Sequence, residues 1–189
     1  MRLALASPMA LSLASTVLAA SNFTEAPIIT NSQQGVLYEA TLFSKQNTSI
    51  RGVVTAWAPS NAIGVKFHVD FWGFPPDVRG PYPYHIHLDR VPQDGNCYSA
   101  GGHLDPYDRG EQPACDPNQP QTCQLGDLSG KHSPVYVAPN AQFEAEYTDL
   151  FLSTTKGSDA YIGNRSIVVH APDGTRLNCG NFVLLEEVE

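Results

Sequence analysis

Four histidines carry the clearest chemical signal in this sequence. His85 and His87 are two positions apart, and residues two apart in an extended strand point to the same face. Two imidazoles on one face form half of a metal site, which His103 and His170 would complete in the folded chain. An all-histidine site suits copper or zinc. Because no thiolate belongs to the pattern, we interpret the four as ligands of one copper ion. Three histidines with a water would suit catalytic zinc, and spacing alone does not decide between the metals.

The segments that must position these histidines read as strands. Residues 65–71 alternate apolar and polar side chains without a break, which predicts a half-buried strand. His68 falls on the polar side of that strand, so we expect a solvated surface histidine rather than a ligand. Further strands are predicted at 35–43, 52–57, 84–87, 142–148, 165–170 and 180–185. Several short strands separated by turn signals indicate an antiparallel sandwich or barrel.

A long irregular segment, residues 89–139, interrupts this series of strands. It contains His103 and three of the four cysteines, with Pro and Gly turns throughout. Loops of this length inside a compact domain are usually functional or tied down. We expect this one to be both.

Length and charge narrow the class of protein. The chain has 189 residues, which is typical of one domain, and its 15 glycines and 15 prolines favour a turn-rich β fold. The net charge of −8 argues against binding to nucleic acid or to an anionic membrane.

The N-terminus predicts secretion. Arg2 precedes an apolar stretch, 3–18, and small residues then offer a cleavage site, so we assign residues 1–19 to a signal peptide and 20–189 to the mature domain. The sequence has no second apolar segment that would predict a membrane span. Acceptor sequons for N-glycosylation begin at Asn22, Asn47 and Asn164. Four cysteines in an oxidising compartment favour two disulfides.

Five segments together resemble the copper-zinc superoxide dismutase family. They keep the family order and cover most of residues 35–185. The segments are Tyr84-His85-Ile86-His87; Cys97-Tyr98-Ser99-Ala100-Gly101-Gly102-His103-Leu104-Asp105-Pro106; Gly126-Asp127-Leu128; Ile162-Gly163-Asn164-Arg165-Ser166-Ile167-Val168-Val169-His170; and Arg176-Leu177-Asn178-Cys179-Gly180.

The resemblance implies a fold, a reaction and a set of site residues. The fold is an all-β, eight-stranded antiparallel Greek-key barrel or sandwich with a long metal-binding loop. The reaction converts superoxide to O₂ and hydrogen peroxide. Arg176 is implied as the cation beside copper that attracts and orients superoxide. The resemblance also pairs Cys97 with Cys179, which leaves Cys115 with Cys123. The implied copper ligands are His85, His87, His103 and His170.

Two departures from the family pattern affect the metal content. Asp127 matches the family's zinc-binding aspartate, but Gln124 stands where the family has a zinc-binding histidine. Only eight residues separate His170 from Cys179, where the family carries a longer charged loop. Both departures resemble the secreted, copper-only subgroup of fungi. We therefore expect one copper per chain, no zinc, an open copper site, and a secreted monomer that is also a candidate for attachment to the cell wall.

Asp127 and Gln124 then need other roles around the copper ligands. We expect Asp127 to accept a hydrogen bond from the outer ring nitrogen of His103, which would fix the ring and its tautomer. The alternative is that Asp127 caps the loop by accepting from backbone N–H groups. Gln124 cannot carry charge. Local attraction of superoxide would come from copper, Arg176 and Lys131, which predicts a rate that falls with salt.

Two other functions use parts of the same pattern. A copper-binding or copper-buffering protein without turnover would keep all four histidines, and Gln124 and the missing charged loop motivate this alternative. A catalytically silent β-sandwich adhesion module would not need them. Copper stoichiometry separates the adhesion module from the other two functions, and turnover separates the enzyme from the buffer.

Overall fold

The computed structural model describes residues 23–138 and 141–187. The predicted signal peptide, 1–19, and the sequon at Asn22 lie outside these residues.

Seven strands form one antiparallel sheet in the described part of the chain. In space their order is β4-β6-β7-β1-β2-β3-β5, so the last strand lies between the first strand and β6. The strands are β1 (Val36–Leu42), β2 (Arg51–Trp57), β3 (Val65–Trp72), β4 (Tyr84–His87), β5 (Phe143–Asp149), β6 (Ser166–His170) and β7 (Arg176–Glu187).

The alternation in β3 places its apolar residues in the core. Val65, Phe67 and Val69 are fully buried, whereas the intervening side chains face outward. His68 is among the outward residues, as predicted, and its Nε2 lies 3.7 Å from Glu144 of β5. The surface position of His68 removes it from the metal cluster.

The sheet curls so that side chains from its two edge strands meet. Tyr84 of β4 donates a hydrogen bond from its hydroxyl to the hydroxyl of Tyr147 in β5, at 3.2 Å. The ring of Phe71 in β3 packs edge-on against Tyr84, with ring centroids 5.6 Å apart. Because β4 carries His85 and His87, this aromatic cluster fixes the strand that supplies two of the four imidazoles.

The long segment between β4 and β5 is irregular, as predicted, but it contains short helices. Two 3₁₀ helices span Cys97–Ala100 and Pro120–Thr122, and α1 spans Leu128–His132. No helix in residues 23–138 and 141–187 is long and apolar enough to cross a membrane.

Two disulfides tie this segment down. One joins Cys97 to Cys179 of β7 across 82 positions, and the other joins Cys115 to Cys123 across 8. The first fastens the start of the long segment to the last strand, next to the histidines of the site.

Candidate metal centre

The backbone of three segments meets beneath the histidines. Ile86, between His85 and His87, donates its N–H to Gly126 O at 2.9 Å and accepts from Leu104 N at 2.9 Å. Gly126 N donates in turn to Leu104 O at 2.8 Å. A Cβ on Gly126 would collide with the carbonyl oxygen of Ile86, so this close approach requires glycine. This ring of hydrogen bonds sets His103, which precedes Leu104, beside β4.

The fourth histidine comes from the strand next to β4 in the sheet. His170 is the last residue of β6, and the antiparallel pairing of β4 with β6 brings it next to β4. The structure thus brings all four predicted residues together, with ligand atoms within 4.8 Å of one another. Among the described residues they are the one group of His, Cys, Asp or Glu with this geometry: His85, His87, His103 and His170.

Hydrogen bonds fix the tautomers of His87 and His170. His87 Nδ1 lies 3.0 Å from Gly101 O, and His170 Nδ1 lies 3.1 Å from Gly174 O. A carbonyl only accepts, so both Nδ1 atoms must carry the proton. The two Nε2 atoms are then lone-pair acceptors, and they face each other at 3.3 Å. Two facing acceptors need a cation between them, which is the strongest single sign of a metal here.

His85 differs from His87 and His170 in which ring nitrogen has no protein partner. Its Nε2 lies 3.2 Å from Ser129 Oγ and 3.5 Å from Asp127 Oδ1. Its Nδ1 is buried and has no hydrogen-bond partner. A buried polar atom without a partner is costly unless a ligand completes it. We therefore expect His85 to bind through Nδ1, while the other three histidines bind through Nε2.

Three imidazoles of the cluster, those of His85, His87 and His170, are kept neutral. Burial is the largest cause that lowers the pKa of His87 to about 3 and that of His170 to about 4, and the hydrogen bonds to Gly101 and Gly174 oppose it only in part. Burial also lowers the pKa of His85 well below its ordinary value. Neutral imidazoles keep their lone pairs available for a metal at physiological pH.

The hydrogen bond predicted between Asp127 and His103 is made by Gln124 instead. Gln124 Oε1 lies 2.7 Å from His103 Nδ1. The Asp127 side chain caps α1 by accepting from Gly130 N at 2.7 Å, which was the alternative, and it also faces His85. The reason is directional: Asp127 points along the start of α1, whereas Gln124 precedes the turn and reaches His103.

Arg176 is held by backbone carbonyls rather than by a carboxylate. Its Nη1 donates to Cys97 O at 2.7 Å and its Nη2 to Gly101 O at 2.6 Å. The guanidinium also lies over the exposed ring of Tyr98, 5.3 Å from the ring centroid. No ion pair in the described part of the chain includes Arg176, so its positive charge is left for an anion.

The expectation that Lys131 attracts superoxide is wrong. Its side chain is 1% exposed and forms an ion pair with Asp149, and Lys131 Nζ also donates to Leu125 O at 2.8 Å. An ammonium in this position cannot reach a solvent-borne anion. It fastens α1 to the end of β5 instead.

The four imidazoles fit copper. Three Nε2 atoms and one Nδ1 atom form a soft-to-borderline donor set without thiolate or carboxylate, which is chemistry that copper favours. The sequence reasoning missed the carbonyls of Gly101 and Gly174 and the hydroxyl of Ser129. Backbone acceptors carry no side-chain signal, although both glycines stand in turns next to a ligand.

The two remaining predicted sequons are accessible. The side chains of Asn47 and Asn164 are exposed, in the turn after β1 and in the turn before β6. Exposure is a requirement for modification, and whether the sites are occupied stays a prediction.

Comparisons with known proteins all indicate the same family. Residues 50–181 match the family described as copper/zinc superoxide dismutase. The cell-surface Cu-only superoxide dismutase of Arthroderma benhamiae is 39% identical over 188 residues, covering 86% of this chain and 50% of that protein. The cell-surface Cu-only superoxide dismutase 5 of Candida albicans is 37% identical, covering 86% of this chain and 68% of that protein. This chain thus spans half of the first relative and about two thirds of the second.

The solved structure of Candida albicans superoxide dismutase 5 with Cu(II) shares the fold. The TM-score is 0.71 at 35% identity, covering 82% of this chain and 95% of that chain. From the family match and these relatives, the chain belongs to the copper/zinc superoxide dismutase family.

Proposed function

We propose that this protein is a copper-dependent superoxide dismutase. It converts two superoxide anions and two protons to O₂ and hydrogen peroxide. The observation that carries the proposal is the convergence of four imidazole lone pairs, two of them facing each other at 3.3 Å. The copper ligands are His85, His87, His103 and His170.

Copper, when bound, supplies the one-electron chemistry that oxidises one superoxide and reduces the next. Arg176 supplies the fixed positive charge. Two carbonyls orient its guanidinium, and no carboxylate neutralises it among the described residues. A preorganised, uncompensated cation attracts an anion and costs no reorganisation when the anion arrives.

Substrate and protons reach the cluster from the side of His85 and His103. His87 is fully buried and His170 is 6% exposed, whereas His85 and His103 are only partly buried. The connection between β6 and β7 is five residues long, 171–175, and too short to cover that side. This supports an open site that draws its protons from water.

We propose that the protein uses no zinc. A zinc ion beside copper would need the second nitrogen of His103, and that nitrogen instead bonds Gln124 at 2.7 Å. Asp127 is engaged by Gly130 N and faces His85. The donors left over are too few for a closed tetrahedral site.

We further propose that the curled sheet corresponds to the eight-stranded Greek-key barrel of the family, and that the protein acts as a monomer outside the cell or at its surface. The contact of edge strands through Tyr84 and Tyr147 supports closure. One chain carries the whole ligand set, which supports a monomer. The relatives are named cell-surface enzymes, and the exposed sequons fit the secretory pathway.

The test is superoxide dismutation by the protein loaded with copper and stripped of zinc. We expect fast turnover with one copper per chain, which falls with ionic strength and does not rise on adding zinc. Stoichiometric copper without turnover would replace the proposal with the copper-buffering function. Absence of copper binding would refute both.

A further inference from the structure

Gln124 has a second partner besides His103. Its Nε2 donates to Asp105 Oδ2 at 3.1 Å, while its Oε1 faces His103 Nδ1 at 2.7 Å. Asp105 also accepts from two backbone N–H groups, Arg109 N at 3.1 Å and Gly110 N at 2.8 Å. A chain of hydrogen bonds therefore runs from the backbone turn at 109–110 through Asp105 and Gln124 to His103.

The polarity of this chain is determined at the Asp105 end. An ionised carboxylate only accepts hydrogen bonds, so the group that Gln124 turns toward Asp105 must be its NH₂. The amide oxygen of Gln124 must then face His103. That oxygen also only accepts, so His103 must carry its proton on Nδ1, which leaves Nε2 free.

The turn that holds Asp105 is itself anchored. Arg109 is 8% exposed, and its guanidinium donates to Thr122 O at 2.6 Å, to Gly110 O at 2.8 Å and to Ala114 O at 3.3 Å. These bonds join the turn to the segment that leads into Gln124. The hydrogen bonds of Arg109 therefore hold together the backbone segments that carry Asp105 and Gln124.

We propose that Asp105 is a positioning residue of the metal centre. It acts through Gln124, fixing the amide so that His103 holds its proton on Nδ1 and directs Nε2 to the metal. This inference rests on the proposed copper site, and its new element is Asp105, which reaches His103 through the amide of Gln124.

Removing both acceptor oxygens of Asp105 tests the polarity directly. Leu has nearly the shape of Asp but accepts no hydrogen bond, so D105L leaves the Gln124 NH₂ without its acceptor. The Gln124 amide can then rotate and turn its NH₂ toward His103 Nδ1. In that orientation the His103 proton moves to Nε2, where it opposes metal binding.

The first measurement is the ring tautomer of each histidine in the copper-free protein, by long-range ¹H–¹⁵N NMR. We expect wild-type His103 in the Nδ1–H form and D105L His103 shifted toward Nε2–H. His87 and His170 are internal controls, because backbone carbonyls fix their protons. D116L is the matched control: it removes a carboxylate in the same way from a turn that bonds only Asn118 and Gln119 among the described residues.

The second measurement is Cu(II) affinity, by competition with a chelator of known affinity. We expect D105L to bind Cu(II) about tenfold more weakly or worse, as is usual when a partner of a metal-bound histidine is lost. D116L should bind like the wild type. Neither measurement depends on turnover, so a protein that binds copper without dismutation would refute the proposed enzyme and leave the role of Asp105 to be decided separately.

A double variant supplies the decisive rescue. In D105L/Q124E the carboxylate at position 124 accepts from His103 Nδ1–H without needing Asp105 to orient it. We expect the His103 tautomer to return and Cu(II) affinity to recover to within about threefold of wild type, a coupling that independent sites would not show. An unchanged His103 in D105L would overturn the proposal. If D105L disturbs all the histidines, the double variant decides: recovery supports the proposal and failure to recover overturns it.

Discussion

His87 and Arg176 donate hydrogen bonds to the same carbonyl oxygen. Gly101 O accepts from His87 Nδ1 at 3.0 Å and from Arg176 Nη2 at 2.6 Å. The atom that fixes the tautomer of a predicted copper ligand therefore also fixes the cation expected to meet the substrate. The Gly101 carbonyl therefore fixes the position of the Arg176 charge relative to the predicted copper ligand His87.

Replacing Arg176 should slow turnover without removing copper. We expect R176A to lose roughly tenfold or more in rate at low salt, together with most of its salt dependence, because the local attraction of the anion is lost. Pulse radiolysis at several ionic strengths measures both. R79A, which removes one exposed positive charge elsewhere, should behave like the wild type. Equal rates in R176A and R79A would contradict the role of Arg176.

His85 and His68 offer a matched pair for testing the ligand set. His85 carries a buried Nδ1 without a hydrogen-bond partner, whereas His68 is a surface residue of β3. We expect H85A to fall well below one copper per chain and H68A to keep one, as measured by metal analysis after dialysis against a weak chelator. Full copper retention by H85A would exclude Nδ1 of His85 as a ligand.

The buried pair of Lys131 and Asp149 should dominate the stability of α1. Removing the ammonium in K131M takes away the cation paired with a fully buried carboxylate and leaves it the hydrogen bonds of His132 and Phe151 N, which costs about 3 kcal/mol. The same change in the partly exposed pair of Lys66 and Glu146, K66M, should cost about 1 kcal/mol or less. Urea unfolding of the copper-free variants compares them, and equal losses would show that burial of the first pair does not matter.

The pair of Lys131 and Asp149 should also make the free energy of unfolding depend on pH under acidic conditions. Burial alone would raise the pKa of Asp149, but Lys131 and His132 outweigh it and lower the pKa from 3.8 to about 2. Between these values the unfolded chain binds a proton that the folded chain does not, so the free energy of unfolding falls as the pH drops through this window.

The double variant K131M/D149N lacks the titrating carboxylate. We therefore expect its free energy of unfolding to change less than that of wild type between pH 4 and pH 2, roughly the span of the two pKa values. Parallel pH profiles for the two proteins would contradict the assignment.

Lys45 should make the Cys97–Cys179 disulfide easier to reduce. Its Nζ lies 2.9 Å from Cys97 Sγ and 3.1 Å from Cys179 Sγ, and it donates to Gly95 O at 2.6 Å. A nearby ammonium stabilises the thiolate that reduction releases.

In K45M we expect this disulfide to need more reducing conditions, as measured by alkylation of freed thiols across a range of dithiol ratios. The Cys115–Cys123 disulfide is the internal control, because it lies away from Lys45 and should be unaffected. Earlier reduction of Cys97–Cys179 in K45M would show that Lys45 protects the bond instead.

Side-chain alternation was enough to predict most of the strands. Residues 65–71 read as a strand because every second side chain is apolar, and β3 occupies Val65–Trp72. The last strand begins earlier than predicted, at Arg176, because residues 176–179 pair with the end of β6 in the folded chain. Helix α1 was missed because five residues cannot display a helical period, and its capping by Asp127 becomes visible only in the folded chain.

The residues of the candidate site could be predicted from the sequence, but the hydrogen bonds between them could not. Histidine spacing and the family resemblance identified the four imidazoles. Which of Gln124 and Asp127 reaches His103 depends on the direction of each side chain along the turn before α1, and sequence spacing does not contain that direction. Asp105 escaped notice for the same reason, since its partner is 19 positions away.

The position of β7 between β1 and β6 determines when the metal centre comes into being during synthesis. Strands β1 to β3 can pair as successive hairpins while the ribosome is still working. His170, Arg176 and Cys179 emerge near the end, and β6 gains its link to the rest of the sheet only through β7. A nascent chain therefore lacks His170 and the strand pairing that joins β4 to the sheet until β6 and β7 are made, so the full set of four imidazoles belongs to the finished polypeptide.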